Sequence, residues 1–199
     1  QVRVLLARPI KPSAPQGLGF VLPKETSMTG VLPSQELSKM IVSGAVSATQ
    51  KIIGGQIQPA SLDLRLGSRA YRVRASFLPS ENQTVTQRLD EFQMHEIDLA
   101  QGAVLEKGCV YVVPLMEELR LSDGLQAVTN AKSSTGRLDL LTRTISDYST
   151  EFDRITPDYH GPLYAEICPL SFSVLVRPGM RLNQIRFRDG QAVLSDPEL

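Results

Sequence analysis

Two short stretches of the chain concentrate groups that could do chemistry. The first, NAKSSTGRLDL at residues 130–140, places Lys132, Ser133, Ser134, Thr135, Gly136 and Arg137 in succession: an ammonium, three hydroxyls, a glycine and a guanidinium. Small residues let backbone N–H groups approach an anion beside those donors, so the set suits a phosphate, although a solvated loop shares the composition. The second, RITPDYHGPLYAEI at residues 154–167, sets Glu166 among Ala165, Ile167 and Cys168. A carboxylate on a buried strand is either paired, here with some nearby arginine, or holds its proton to higher pH. The second state is what a general acid needs near neutrality.

Other chemistries lack their residues. A zinc deaminase needs HxE and a PCxxC pair, whereas the two histidines, His95 and His160, stand in MHEID and YHGP. The two cysteines, Cys109 and Cys168, form no CxxC pair and read as small buried hydrophobes. A Ser-His-Asp hydrolase is disfavoured by the same scarcity of histidine, and neither a Walker-type loop nor GxGxxG occurs.

The elements that must position these residues are mostly strands. PSQELSKMIVSG predicts one short helix, capped by Ser34, with Leu37, Met40 and Ile41 on one face and Gly44 at its end. After it the period changes to two. SLDLRLG sets Leu62, Leu64 and Leu66 on one side, and AYRVRASF sets Tyr71, Val73, Ala75 and Phe77 against Arg72, Arg74 and Ser76. A polar stretch over residues 79–94 has room for a second helix near Leu89 and Phe92. CVYVVPL, LRLS, LDLLTRTI, LYAEI, FSVLV and LNQIRF then read as strands, with turns at Asp123-Gly124, Pro157-Asp158 and Pro178-Gly179. Pro157, Asp158 and Gly161 mark a hairpin ahead of Glu166. The spacing predicts a mainly β fold: a sandwich, jelly roll or barrel.

At 199 residues, 42% hydrophobic and 21% charged, the chain suits one domain with a core that needs no disulfide. Equal numbers of Lys+Arg and Asp+Glu, 21 of each, argue against a general nucleic-acid or membrane-surface binder. No apolar run approaches the roughly 18 residues of a membrane span, and no secretory signal is recognisable, so the expected location is cytoplasmic. Residues 1–27 carry Arg3, Arg8, Lys11 and Lys24 against Glu25, plus four prolines, and read as an extension of uncertain structure ahead of a domain at 28–199. Met28 is a candidate start.

QPASLDLRLG, AKSSTGRLDL, RITPDYHG with the following LYAEI, and RPGMRLNQIRF stand in the order and spacing of the motifs of the dCTP deaminase and dUTPase superfamily. From about Met28 to Phe187 the chain most resembles the long alphaproteobacterial type of dCTP deaminase. The resemblance implies a distorted, dUTPase-like jelly-roll barrel with one or two short helices. It also implies a homotrimer with active sites between subunits, dCTP or dUTP as ligand, and Mg2+ carried on the triphosphate.

By the same resemblance Lys132, Ser134 and Gln184 meet the phosphates, while Ser133 and Arg137 hold the attacking water and the cytosine ring. Glu166 is the general acid/base, oriented by Arg137, and Arg154, Thr156 and Tyr159 bind nucleotide. Thr156 stands where the family usually has an Asp, and Gln184 matches the dUTPase version of the last motif. No residues matching the family's closing Tyr, Lys and Gln segment follow Phe187. The expected activity is conversion of dCTP to dUTP and ammonia, a hydrolase reaction without metal at the base. The alternatives are a dUTP diphosphatase, a bifunctional deaminase-diphosphatase, and a non-catalytic nucleotide-binding module of the same fold.

Overall fold

Apolar residues spaced by two dominate the chain from residue 61 onward, and they build strands that cover one another. The computed structural model describes residues 30–190. The expectations for residues 1–27, for Met28 and for the segment beyond residue 190 lie outside the described residues. In chain order the elements are β1 (Gly30–Val31), α1 (Ser34–Ser43), β2 (Val46–Ala48), a single 3-10 turn (Gly54–Gln56), β3 (Ile57–Gln58), β4 (Ser61–Leu64) and β5 (Arg69–Val73). Then come α2 (Val85–Phe92), β6 (Gln93–Asp98), β7 (Ala103–Leu105), β8 (Val110–Arg120), β9 (Gln126–Ala131), α3 (Ser133–Gly136) and β10 (Leu140–Ser146). The last are β11 (Arg154–Ile155), β12 (His160–Pro169), β13 (Val174–Val176) and β14 (Asn183–Asp189).

One sheet runs β11-β9-β14-β4-β3 with β1 beside β14, and a second runs β10-β12-β8-β5-β6 with β2 beside β8; β13 pairs with β7 apart from both. Every pairing is antiparallel. The chain changes sheet between β1 and β2, β2 and β3, β4 and β5, and at every step from β8 to β12. The result is the mainly β jelly-roll class expected, as two facing sheets.

The main core lies between them. Leu62, Leu64, Ala127, Ile185 and Phe187 come from the first sheet, Tyr111, Val113, Leu163, Ala165 and Ile167 from the second, and Leu37 and Met40 of α1 close one side. A second cluster covers the outer face of the second sheet, where Val85 and Leu89 of α2 pack on Val73, Val112, Ile145 and Tyr164. β12 is therefore buried on both faces, and its alternation turns Tyr164 and Glu166 toward the outer cluster.

A fully buried ion pair ties the sheets together. Glu117 of β8 accepts from the Arg65 backbone N–H at 2.7 Å, Arg65 Nε at 2.8 Å and Gln56 Nε2 at 2.9 Å. Arg65 places its remaining donors on the carbonyls of Lys51 and Gln50. A paired, fully hydrogen-bonded charge is the form in which a buried carboxylate is tolerated.

Several expectations are corrected by the structure. α1 is entered through Pro33, whose carbonyl accepts the first helical N–H groups, and Ser34 makes no cap bond; Gly44 does close the helix at φ 81°. The helix near Leu89 forms, capped by the reciprocal Thr84–Gln87 box and by Asp147, whose carboxylate accepts from Val85 N–H at 2.8 Å. CVYVVPL and LRLS are one strand, β8, running through Pro114, because the missing N–H falls beside a register shift in β12 between Pro162 and Tyr164. RITPDYHG is no hairpin: β11 pairs with β9 and β12 with β10 and β8, so the turn hands the chain from one sheet to the other. Cys109 and Cys168 are free and only half-buried.

Candidate active site

β9 delivers the chain to the first set of groups. At its end Lys132 N–H donates to the Leu182 carbonyl, α3 makes one turn, and the Thr135 hydroxyl donates to that same carbonyl at 3.0 Å. Thr135 is thus the structural member of the cluster. Ser133, Ser134 and Arg137 are exposed, and their side chains make no hydrogen bond or ion pair among the described residues. Lys132 Nζ is bonded to the carboxylate of Asp63 on β4, which is 1% exposed, and Arg181 reaches the same oxygen at 3.4 Å. Gln184 lies between Asp63 and Asn130 in the sheet register and accepts from the Ser61 hydroxyl at 3.2 Å.

Two cations, Lys132 and Arg181, thus meet Oδ2 of one carboxylate, whose Oδ1 is buried without a hydrogen-bond partner among the described residues. Two cations against one carboxylate leave a net positive charge, which suits an anion.

Glu166 forms the second set. It is 2% exposed on β12, with Arg143 directly opposite on β10. Arg143 donates to Oε1 from Nε at 3.1 Å and again from Nη2, and Nη2 also meets Ser76 Oγ at 3.1 Å. The guanidinium lies 3.7 Å from the centre of the Phe152 ring. Glu166 Oε2 is buried and has no hydrogen-bond partner among the described residues. Arg137 is not the partner of Glu166 within the chain; the register of β10 against β12 gives that place to Arg143.

Arg154 and Thr156 form a third set. With Gln126, Ser149, Thr150, Glu151, Ile155 and Pro157 they line a pocket of about 330 Å³, and Arg154 is paired with Glu151 at 3.0 Å. Tyr159 does not join them. It is buried, its hydroxyl donates to the Pro162 carbonyl at 2.6 Å and accepts from Asp147 N–H at 3.1 Å, and burial pushes its phenol far above the usual range. Among the described residues no hydrogen bond or ion pair joins Glu166 to Ser133, Ser134, Arg137, Arg154 or Thr156.

Three residues of these sets were not singled out from sequence. Arg143 would have been found by laying LDLLTRTI antiparallel to LYAEI, which places it opposite Glu166. Asp63 is the polar residue between two buried leucines, an off-pattern position for a strand covered on both faces. Arg181, two residues after Gly179 of the Pro178-Gly179 turn, carried no signal beyond its charge.

The profile of the family described as 2'-deoxycytidine 5'-triphosphate deaminase (DCD) N-terminal domain matches residues 28–191. The chain belongs to the dCTP deaminase family. A solved 2'-deoxycytidine 5'-triphosphate deaminase from Agrobacterium tumefaciens superposes with a TM-score of 0.82 at 51% identity, covering 85% of this chain and 51% of that one. The chain thus spans about half the length of that solved protein. A "dCTP deaminase, dUMP-forming" from Coprothermobacter proteolyticus is 29% identical over 161 residues, 77% of this chain and 80% of that protein. A "dCTP deaminase" from Halorubrum lacusprofundi is 27% identical over 137 residues, 67% of this chain and 64% of its own length. Among the described residues no helix is long and apolar enough to cross a membrane.

Proposed function

We propose that the chain deaminates dCTP hydrolytically, converting dCTP and water to dUTP and ammonia. The observation that carries this reading is Glu166: a carboxylate 2% exposed, with one oxygen paired and the other buried without a hydrogen-bond partner among the described residues, on a chain of the dCTP deaminase family. A buried, unsatisfied acceptor is costly, and such groups persist where a ligand completes them. In this reading Glu166 takes a proton from water as the oxygen adds to C4 of cytosine and passes a proton to N3. It then takes the proton of the new C4 hydroxyl and delivers it to the amine, which leaves as ammonia as the C4–N bond breaks and the C4 carbonyl forms. No metal is needed at the base, and Mg2+ arrives bound to the triphosphate.

Lys132, with Ser134 and Gln184 nearby, is the phosphate end, and Ser133 and Arg137 serve the water and the ring. The exposed, unpartnered state of Ser133, Ser134 and Arg137 in one chain supports a site shared between subunits of a homotrimer, in which these side chains face the Glu166 of a neighbouring copy. Thr156 and Arg154, at the mouth of the 330 Å³ pocket, are suited to the nucleotide's sugar side.

A second reading is a bifunctional enzyme that carries dUTP on to dUMP. It is favoured by Gln184 beside the Lys132–Asp63 pair and by relatives named dUMP-forming. Incubation with dCTP and with dUTP, following ammonia, pyrophosphate, dUTP and dUMP, separates the readings. Ammonia with accumulating dUTP supports the first, and dUMP with pyrophosphate supports the second. Nucleotide binding without turnover contradicts both.

A further inference from the structure

Arg143 is held from three directions. Glu166 Oε1 takes two of its N–H groups, Ser76 from the segment after β5 takes another contact, and Phe152 from the β10–β11 connection lies under its plane at 3.7 Å. A planar guanidinium clamped in this way fixes the oxygen it binds, which a flexible lysine ammonium would not do. The two oxygens of Glu166 are therefore not equivalent: Oε1 is committed to a fixed charge, and Oε2 is buried with no hydrogen-bond partner among the described residues.

We propose that Arg143 is the positioning residue of the deaminase, locking Glu166 through Oε1 so that Oε2 alone accepts and returns the proton. The inference rests on the deaminase reading above.

The ionisable groups beside Glu166 on this face are Arg143 from β10, Tyr164 and Cys168 on its own strand, and Tyr71 of β5 beyond the apolar Val112 of β8. α2 closes the face with Val85 and Leu89, and its Thr86 hydroxyl is 3.2 Å from that of Tyr164. Burial pushes the Cys168 thiol up, with Glu166 adding to the rise, and burial likewise pushes up the Tyr164 phenol. Both stay neutral near pH 7, and within one chain Arg143 is the cation paired with the carboxylate among the described residues.

The test uses the full chain as wild type, R143M, R143K and F152L. R143M is expected to lose about 100-fold or more in kcat with KM for dCTP little changed, and the acidic limb of its kcat/KM profile moves up by about one pH unit or more. R143K, which keeps the charge without the fork, returns the limb toward wild type while kcat stays about tenfold low. F152L, which removes only the ring beneath the guanidinium, falls between R143K and wild type. Infrared difference spectra against E166Q follow ionisation of the carboxylate without substrate, and the ionised band is expected to persist to lower pH in wild type than in R143M. If R143M does not fold, R143K and F152L decide: wild-type kcat in both overturns the proposal. An unchanged pH limb in folded R143M, or infrared titrations that coincide, also overturns it. Absence of ammonia release by wild type refutes the deaminase reading separately, since the infrared comparison does not depend on turnover.

Discussion

Replacing Glu117 by Gln tests whether the buried pair between the sheets holds the region that positions the phosphate end. Glu117 is 0% exposed and accepts three hydrogen bonds, two of them from Arg65, whose side chain is 7% exposed. Gln56, bonded to the same carboxylate, also donates to the Asp63 carbonyl at 3.0 Å, so the network braces the strand whose side chain anchors Lys132. In E117Q one oxygen becomes an NH2 that meets existing donors, and the guanidinium loses its counter-charge. Removing one partner of such a pair costs about 3–5 kcal/mol. Arg65 keeps the Lys51 and Gln50 carbonyls, which favours the lower end, about 3 kcal/mol. For a chain of this size each kcal/mol moves Tm by roughly 2–4 °C, giving a fall of about 6–12 °C. Urea unfolding and calorimetry measure it. A loss below about 1 kcal/mol would show that the pair is not bearing the load assigned to it here.

Three further outcomes follow from the site and its supports. R137Q is expected to leave stability within about 0.5 kcal/mol of wild type, since Arg137 is exposed and has no side-chain partner among the described residues, yet to reduce ammonia release by about 100-fold; unchanged activity would remove it from the site. G161A places a Cβ 2.6 Å from Tyr159 Oη, displacing the hydroxyl from its two backbone partners at about 1–3 kcal/mol. The Y159F/G161A double variant loses the 2.6 Å hydroxyl contact and keeps only the ring carbon at 3.0 Å, so it should lose less than the sum of the two singles, and strict additivity in urea would be the contrary result. Burial pushes the Asp147 carboxyl up, with the Val85 N–H bond acting against it. The folded state therefore favours its protonated form, a contribution present below the ordinary Asp value of 3.8 and lost as pH rises through the folded value. D147N, which keeps an acceptor without the charge, should raise Tm at pH 7 with a gain that shrinks toward pH 4, and a pH-independent difference would refute it.

Local chemistry was legible in the sequence wherever a short window contains its own answer. α1 follows from the spacing of Leu37, Met40 and Ile41 and from Gly44, and α2 from Leu89 and Phe92. The turns at Asp123-Gly124 and Pro178-Gly179 form with positive φ at Asp123, Gly124 and Gly179. β6 was hidden because it is an exposed edge strand with no apolar alternation, held by β5 alone. Turn residues at Pro157 and Asp158 specify a reversal but not the sheet that receives the chain, so the crossover between β11 and β12 resembled a hairpin. The candidate site divides in the same way. Lys132, Ser133, Ser134, Arg137 and Glu166 are visible as motif residues, whereas Asp63, Arg143 and Arg181 enter through strand register and through contacts that span long stretches of chain.

The most direct test of the central claim is ammonia release from dCTP by the wild-type chain and by E166Q, with dUTP quantified in parallel and binding of dCTP measured for both. The account predicts stoichiometric ammonia and deaminated nucleotide from wild type, and dCTP binding without ammonia from E166Q. Ammonia release by E166Q at the wild-type rate would contradict it.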